Sequence, residues 1–387
     1  MIKDARLHNV PSLRFPEFSG EWSKVVLSSA CEINPKTDSL DNQFLYIDLE
    51  SVVKGALVKR QIIEKDSAPS RAQRVLKKND ILYQCVRPYQ LNNYFFEGDT
   101  IQCVASTGYA QLRTKHNPLY IFQALHTIQF TNQVLERCTG TNYPAINSSD
   151  LGTIEVPICL LPEQEKIGSL LALIDSRIKT QSKIIEDLTT LRSALIEMCS
   201  KQSGDIYDLS EILQEVDERS TVANQYQVLS STVKGIFSQK EYFNKDIASE
   251  DNKGYKVVRR GHVVLSPQNL WMGNINYNDW FDIGIVSPSY KVYSIRNGFN
   301  PTFIASLLRT KKALYEYMLA SEQGASIVRR NLNVETFLAI KFRIPDSHQQ
   351  DSLSMAITAI NAKLNNEQTI LERLTMQKSS LLENMFI

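Results

Sequence analysis

The sequence has few of the residue patterns that metal sites and disulfides require. Its six cysteines are scattered without a CxxC pair, and its five histidines lie far from one another. A zinc site usually needs closely spaced pairs of thiolates or imidazoles. We therefore expect no metal site, and we expect the cysteines to be reduced thiols packed in the interior.

Catalytic signatures are also missing. The sequence contains no glycine-rich phosphate loop, no dinucleotide fingerprint and no GxSxG nucleophile elbow. It lacks the Pro-Pro-Tyr or Pro-Pro-Phe motif with which amino-methyltransferases grip a flipped base, and it lacks a glycine-rich turn for a methyl donor. We therefore expect no catalytic residues and no cofactor.

No long hydrophobic run interrupts the chain. The longest apolar stretch, residues 170–174, is far too short to span a bilayer, and no secretory signal begins at Met1. With 387 residues, of which 43% are hydrophobic and 22% charged, the composition is typical of a globular chain with two or three domains. We expect a cytoplasmic protein.

An excess of charge is absent overall, since the net charge is only +1. This argues against a uniformly basic nucleic-acid-binding protein. Locally the balance differs, because residues 54–87 contain nine lysines and arginines against three acidic residues. A segment of that sign can hold phosphates even in a neutral chain.

What the sequence does contain is a heptad pattern that occurs twice, with Leu188 recurring as Leu374, 186 positions later. Polar interruptions coincide as well, Gln181 with Glu367 and Arg192 with Lys378. Each pattern lasts about 38 residues, which corresponds to a helix of roughly 57 Å. We predict two long helices that pack antiparallel through these stripe residues: Ile167, Leu171, Ile174, Ile178, Ile185, Leu188 and Leu195 in the first, and Leu353, Ile357, Ile360, Leu364, Leu371, Leu374 and Leu381 in the second.

The segments outside these helices also repeat. Residues 44–157 alternate short β-like runs with turns, and residues 118–137 have helical spacing. The order recurs after residue 205, where VVRRGHVV (257–264) matches VLKKNDIL (75–82). The predicted class is α+β: two similar mixed α/β domains separated by two long helices that form an antiparallel coiled coil, with an internal pseudo-two-fold repeat. The expected boundaries are 1–160, including an N-terminal arm packed on the first domain, 161–202, 203–345 and 346–387.

The two domains differ most in the loops 86–96 and 267–280, which are rich in side chains that can pair with base edges. Neighbouring lysines and arginines would suit phosphates. Any single one of these positions could equally be an ordinary surface residue, but together they favour binding of a nucleic acid. The predicted DNA-binding residues are Lys54, Arg71, Arg74, Lys77, Lys78, Arg87, Tyr89, Gln90 and Asn92 in the first domain, and Lys234, Arg259, Arg260, Gln268, Asn269, Trp271, Asn274, Arg329 and Arg330 in the second.

Several of these motifs together resemble the specificity subunit of a type I restriction-modification system. The resemblance covers essentially the whole chain and includes the start of the first helix, LPEQEKI (161–167), the arm LRFPEF (13–18) followed by GEW (20–22), NDIL (79–82) before a variable loop, and Ile174-Asp175. The second helix starts with the weaker match IPDSHQQ (344–350).

The resemblance implies a subunit without catalysis of its own. Each domain would be a target-recognition domain that reads one half of a split double-stranded DNA target, and the helices would set the gap between the halves. Two methyltransferase (modification) subunits, which bring S-adenosylmethionine, would dock on the helices. ATP-hydrolysing restriction subunits, which act as translocase and nuclease, would join them.

Two other functions stay open from the residues alone. One is an enzyme with unfamiliar motifs, which binding or turnover of S-adenosylmethionine by the purified chain would reveal. The other is a coiled-coil adaptor with two protein-binding heads. An adaptor has no need of basic clusters at matching places on both heads, and its binding would not weaken steeply with salt.

Overall fold

The computed structural model describes residues 9–140, 142–202, 204–240, 252–323 and 330–387, with side chains for all of them except residues 199–202. The chain divides into two compact units. Unit 1 comprises residues 1–183 and 368–387, and unit 2 comprises residues 184–367. Each unit combines small β-sheets with short helices and with a segment of each long helix, which confirms the predicted α+β class. The predicted four-segment division into domains stays a prediction.

The two long helices are Leu161–Gln202, with 42 residues, and Ser347–Met385, with 39 residues. In unit 1 the start of the first helix packs beside the end of the second, since Leu171 and Met385 lie in one buried cluster. In unit 2 Ile196, near the end of the first helix, shares a cluster with Ile357, near the start of the second. The paired segments are therefore antiparallel in both units.

All fourteen predicted stripe residues are buried or half-buried. Several apolar residues off the stripe are exposed instead, among them Leu173 with an exposed fraction of 65% and Met355 with 75%. The coinciding polar residues Gln181 and Glu367 also face inward, with only 8% and 5% exposed. None of the helices in the described ranges is long and apolar enough to cross a membrane.

Unit 1 contains two four-stranded sheets. The antiparallel one has the order Cys31–Ile33, Tyr109–Thr114, Ile81–Gln84, Tyr94–Phe95, and the mixed one has the order Gln61–Glu64, Gln43–Ile47, Cys103–Ser106, Ala72–Val75. Two further strand pairs are Ser23–Val26 with Glu155–Ile158 and Val52–Val53 with Ala56–Leu57. The short α-helices are Leu27–Ala30, Pro118–Ala124, Ile128–Glu136 and Ser148–Gly152, and the 3₁₀ turns are Lys65–Ser67 and Pro88–Gln90.

Unit 2 repeats the strand order of the antiparallel sheet. Its four-stranded antiparallel sheet has the order Leu213–Glu215, Lys291–Ile295, His262–Leu265, Ile275–Tyr277. The strand pairs are Asp205–Asp208 with Lys341–Ile344, Lys256–Arg259 with Ile283–Val286, Leu229–Thr232 with Gly235–Ser238, and Ser321–Gln323 with Arg330–Leu332. The helices are Leu209–Ile212, Pro301–Leu307, Lys311–Leu319 and Val334–Leu338, with a 3₁₀ turn at Leu270–Met272. The shared strand order confirms the internal repeat.

The helix predicted over residues 118–137 is two helices. Asn117 caps the first by accepting the N–H of Tyr120, and Thr127 caps the second by accepting the N–H of Phe130. His126 lies in the break between them. Unit 2 has the same break at residue 309, between caps at Asn300 and Thr310. Each unit thus places one polar residue at a fixed bend under its sheet.

The N-terminal arm packs on unit 1 as predicted. The indole of Trp22 is only 3% exposed and meets Tyr120 edge-on, with ring centroids 6.1 Å apart. Arg14 forms two hydrogen bonds to the carboxylate of Glu163, at 2.7 and 2.9 Å. An aromatic ring and an ion pair therefore hold the arm against the start of the first long helix.

Candidate nucleic-acid interface

The loop after strand Ile81–Gln84 is organised by the side chain of Gln84, which is only 2% exposed. Its Nε2 donates to the carbonyl oxygen of Val86 at 2.7 Å and to Oε1 of Gln90 at 3.0 Å. Its Oε1 accepts the backbone N–H of Asn92 at 3.1 Å. One buried amide thus fixes both ends of the loop, as a preorganised binding surface requires.

Arg87 supplies the positive charge of this loop. Its backbone is left-handed, with φ 55°, and its N–H donates to the carbonyl oxygen of Pro144 at 2.7 Å. The guanidinium lies 4.3 Å from the ring centroid of Tyr143, which is 64% exposed. Tyr89 on the same loop is 51% exposed. The arrangement offers a stacked arginine and exposed aromatic faces, which suit bases and phosphates.

The structure gives Asn92 a supporting role. Its Oδ1 accepts the backbone N–H of Lys54 at 2.9 Å, where Lys54 adopts the left-handed φ of 49°. Asn92 therefore stabilises the turn that carries the exposed Lys54 side chain, which stays available for a phosphate. Gln90 is exposed, although its side-chain oxygen is used by Gln84.

The other predicted basic residues of unit 1 differ in exposure. Arg71, Lys77 and Lys78 are exposed, and Lys77 pairs with Asp38 at 3.1 Å in solvent. Arg74 is half-buried, its Nε is enclosed without a hydrogen-bond partner, and burial lowers the pKa of its guanidinium. The exposed three suit phosphate contacts better than Arg74 does.

In unit 2 the structure does not support a base contact by Asn274. The residue is 4% exposed, its Oδ1 accepts from Ser231 Oγ at 2.8 Å, and its Nδ2 donates to the Ser231 carbonyl at 3.0 Å. Because both polar ends are satisfied internally, Asn274 holds the strand Leu229–Thr232 in place.

Arg330 is also internal. Its guanidinium donates to Ser321 Oγ at 2.9 Å, to the Ser321 carbonyl at 2.7 Å and to the Met318 carbonyl at 3.3 Å. The structure therefore makes it a cross-link within the unit and takes it out of the phosphate-binding set. Arg329 lies outside the described residues.

The remaining predicted residues of unit 2 form a mixed surface. Lys234 and Gln268 are exposed, Trp271 is half-buried, and the Oδ1 of Asn269 is enclosed without a hydrogen-bond partner. Of these four residues, Lys234 and Gln268 are therefore the best placed to contact DNA from the surface.

Arg259 and Arg260 are exposed but neutralised by acidic partners. Arg259 contacts both carboxylate oxygens of Glu218, at 2.7 and 3.0 Å, and lowers the pKa of that carboxyl. Arg260 lies 2.8 Å from Asp282. A phosphate at either arginine would have to displace a carboxylate. Among the described residues, unit 2 therefore has fewer free cations than the sequence predicted.

A contact that the sequence analysis missed joins each long helix to its unit. Gln164, 1% exposed, accepts the backbone N–H of Asn117 at 3.0 Å and donates to the Cys159 carbonyl at 2.7 Å. In unit 2 Gln350 accepts the N–H of Asn300 at 2.8 Å and donates to the Pro345 carbonyl at 2.8 Å. The weaker start of the second helix therefore keeps the same contact.

The cysteines with described side chains are thiols. Cys31, Cys85 and Cys103 are buried, and burial raises the pKa of each thiol to about 11. Such thiols are protonated and inert near neutral pH. The part of the chain that the structure describes contains no cluster of three or more histidine, cysteine or acidic side chains that could hold a metal ion.

Part of the chain matches a known protein family. Residues 20–190 match the family described as "Type I restriction modification DNA specificity domain". The chain is 26% identical over 166 residues to the Type I restriction enzyme HindI specificity subunit of Haemophilus influenzae. The match covers 41% of this chain, and it spans 33% of the length of that relative.

Two solved structures share the fold. The type I restriction-modification S subunit from M. genitalium matches over 98% of this chain and 99% of its own, with a TM-score of 0.59 and 17% identity. A structure described as the basis of complex assembly and conformational transition of the type I R-M system matches over 94% of this chain and 97% of its own, with a TM-score of 0.53 and 18% identity. The chain thus shares its fold with these S subunits, and its residues 20–190 match the DNA specificity domain family.

Proposed function

We propose that this chain is the sequence-specific DNA-binding subunit of a type I restriction-modification complex, with each unit reading one half of a bipartite double-stranded target. One observation carries this: the antiparallel sheets of the two units share their strand order, but the loops after the equivalent strands Ile81–Gln84 and His262–Leu265 are built differently. A common framework with divergent, ordered loops suits two different half-sites. In this role the chain contributes recognition and no catalysis.

The long helices would set the gap between half-sites and dock the partners. At 42 and 39 residues they extend about 60 Å at 1.5 Å per residue. Exposed apolar side chains off the stripe, such as Leu173, Leu191 and Met376, offer contacts to partner helices. The partners would be two methyltransferase subunits, which supply S-adenosylmethionine, and restriction subunits that consume ATP. Because cellular DNA is the substrate, the complex would act in the cytoplasm.

The test is the methylation pattern of DNA from cells that express the chain with its partner methyltransferase. We expect adenine methylation at one bipartite motif with a fixed gap, and its loss when the chain alone is deleted. A continuous motif, or methylation that does not depend on the chain, would contradict the proposal. The activity of the methyltransferase is controlled by supplying a well-characterised specificity subunit that it accepts.

Salt dependence separates this function from a protein adaptor. Exposed lysines such as Lys54 and Lys78 would release counterions on binding DNA, so the logarithm of affinity should fall linearly with the logarithm of salt concentration. Binding of the full chain with its methyltransferase to the mapped target measures the slope. A flat dependence would favour the adaptor.

A further inference from the structure

A series of polar contacts connects the long helices to the loop 86–96 of unit 1. It begins at Asp175 in the first long helix, which pairs with Lys378 in the second at 2.6 Å. The same carboxylate accepts a hydrogen bond from Nε2 of Gln123, in helix Pro118–Ala124, at 2.8 Å. Gln123 is 1% exposed, whereas the Asp175 side chain is 33% exposed, so the bond is partly buried. The helix pair and the short helix are thus joined through one carboxylate.

The connection continues at the bend after that short helix. His126 lies within one turn of Gln123, and its Nδ1 lies 2.7 Å from the carbonyl oxygen of Phe122. Its Nε2 lies 3.3 Å from Nδ2 of Asn93. Since Nδ1 donates to the carbonyl, Nε2 is the acceptor of the Asn93 bond. Burial, and next the charge of Lys378, lower the pKa of His126 to about 4, which keeps this neutral form at ordinary pH.

Asn93 completes the path. It is 1% exposed, and its Oδ1 accepts the backbone N–H of Gln84 at 2.8 Å. Gln84 is the residue whose side chain fixes the loop carrying Arg87, Tyr89 and Gln90. The polar side chains named on this path are therefore hydrogen-bonded, although Oε1 of Gln123 is enclosed without a partner.

Unit 2 has a corresponding set with different chemistry. Arg192 and Asn361, each 186 positions from its counterpart, take the places of Lys378 and Asp175, and Arg192 donates to Asn361 Oδ1 at 2.9 Å. Arg309 occupies the bend where unit 1 has His126. It donates to Asn276 Oδ1 at 2.5 Å and to the Val233 carbonyl at 2.8 Å. Asn276, on the strand Ile275–Tyr277, lies within the divergent segment 267–280, as Asn93 lies within the segment 86–96.

We propose that Asp175, Lys378 and His126 in unit 1, and Asn361, Arg192 and Arg309 in unit 2, are positioning residues for DNA recognition. Each set holds the loop of its own unit in a fixed orientation on the long-helix pair. None of the six needs to contact DNA. The inference rests on the proposed function, because it concerns the accuracy with which a loop meets its half-site. The same placement with different side chains means that each unit can be perturbed separately.

The test uses the full chain in complex with its methyltransferase and three duplexes: the mapped target, and the target with either half-site scrambled. Asp175→Ala should reduce discrimination at the half-site of unit 1 by about tenfold, the scale of one bidentate base contact. Discrimination at the other half-site should change less than about twofold. Asn361→Ala should give the reverse pattern. Lys179→Ala, at an exposed position on the same helix, is the matched control and should change neither.

A conservative variant separates positioning from loss of folding. Asp175→Asn with Lys378→Arg copies the pair that unit 2 uses, and it should restore discrimination at the first half-site to within about threefold of the wild type. An equal loss on all three duplexes together with a lowered melting temperature would make the residues merely structural and overturn the proposal. Unchanged discrimination in both alanine variants would also overturn it. If the wild-type complex itself binds the three duplexes equally, the proposed function fails instead.

Discussion

Gly168 lies so close to Asn117 that a β-carbon at residue 168 would meet the Asn117 side-chain oxygen at 2.9 Å and the backbone nitrogen of Tyr120 at 2.7 Å. The counterpart in unit 2, 186 positions later, is Ser354, whose hydroxyl lies 2.5 Å from Asn300 Oδ1. The first long helix therefore approaches its unit more tightly than the second does. Both helices meet the N-terminal cap of a short helix at this point.

Gly168→Ala should destabilise the chain by about 1 to 3 kcal/mol, because backbone on the opposing helix has to shift. The higher helix propensity of alanine offsets only about 1 kcal/mol of that. Ser169→Ala, at the exposed neighbouring position, is the control and should be neutral or slightly stabilising. Thermal or urea unfolding of the full chain measures both. A Gly168→Ala variant as stable as the wild type would refute the close approach.

Arg14→Ala should lower the free energy of unfolding by about 3 kcal/mol. The variant leaves the side chain of Glu163, which is fully buried, without its two hydrogen bonds from the guanidinium. Lys166→Ala is the matched control, since Lys166 pairs with Glu17 where both side chains are about half exposed. Exposed pairs of this kind contribute less than about 1 kcal/mol. Equal effects of the two variants on the free energy of unfolding would contradict the buried role of Glu163.

The heptad stripe makes a prediction that needs no site. Leu171→Ala should destabilise unit 1 by about 2 to 5 kcal/mol, because the side chain is fully buried in the main cluster. Leu173→Ala removes the same number of atoms two residues away, where the side chain is 65% exposed. It should change the free energy of unfolding by less than about 0.5 kcal/mol. Similar losses in both would mean that the stripe is misassigned.

These cases mark how far the sequence alone could lead. The heptad spacing of apolar residues predicted the long helices, and the internal repeat predicted the common framework. Apolar spacing such as that of Leu171 and Leu374 depends on local helix geometry alone. The helical spacing over residues 118–137 predicted one helix, but the structure has two, because Thr127 caps the start of a second one. A single capping residue is a weaker signal in the sequence than the apolar spacing. Asn274 and Arg330 were predicted to bind DNA because their side chains can. Which amide faces solvent and which faces Ser231 depends on tertiary packing, and no local pattern encodes it.

His126 should make stability depend on pH. Burial lowers its pKa to about 4 in the folded chain, below the ordinary value of 6.5. Between these values the unfolded chain binds a proton that the folded chain does not, so stability is complete above about pH 6.5 and falls as the pH drops toward 4. The total loss is about 3 kcal/mol, at 1.36 kcal/mol per pKa unit.

The measurement is the difference in the free energy of unfolding between the wild type and His126→Gln over that pH range. His262 and the carboxyl groups titrate in both chains and cancel in the difference. The difference between the two chains should shrink, or change sign, as the pH falls from 6.5 to 4. A difference that stays constant over this interval would mean that His126 is not the buried neutral group that the contacts to Phe122 and Asn93 require.

Substitutions of Arg87 distinguish a contact with a base from a contact with a phosphate. Arg87→Ala should weaken binding to the half-site of unit 1 by about 1 to 3 kcal/mol if the guanidinium contacts a base edge in bidentate fashion. Arg87→Lys keeps the charge but not the planar fork, so it should lose nearly as much discrimination at that half-site.

A phosphate contact predicts a different result. Arg87→Ala would then lose affinity equally for all sequences, and Arg87→Lys would bind nearly as well as the wild type. The contact of the Arg87 guanidinium with Tyr143, 4.3 Å from the ring centroid, favours the first outcome, because it restrains the guanidinium on a loop that Gln84 already holds in place. Binding of both variants to the three duplexes decides between the two, and an unchanged affinity in Arg87→Ala would remove this residue from the interface.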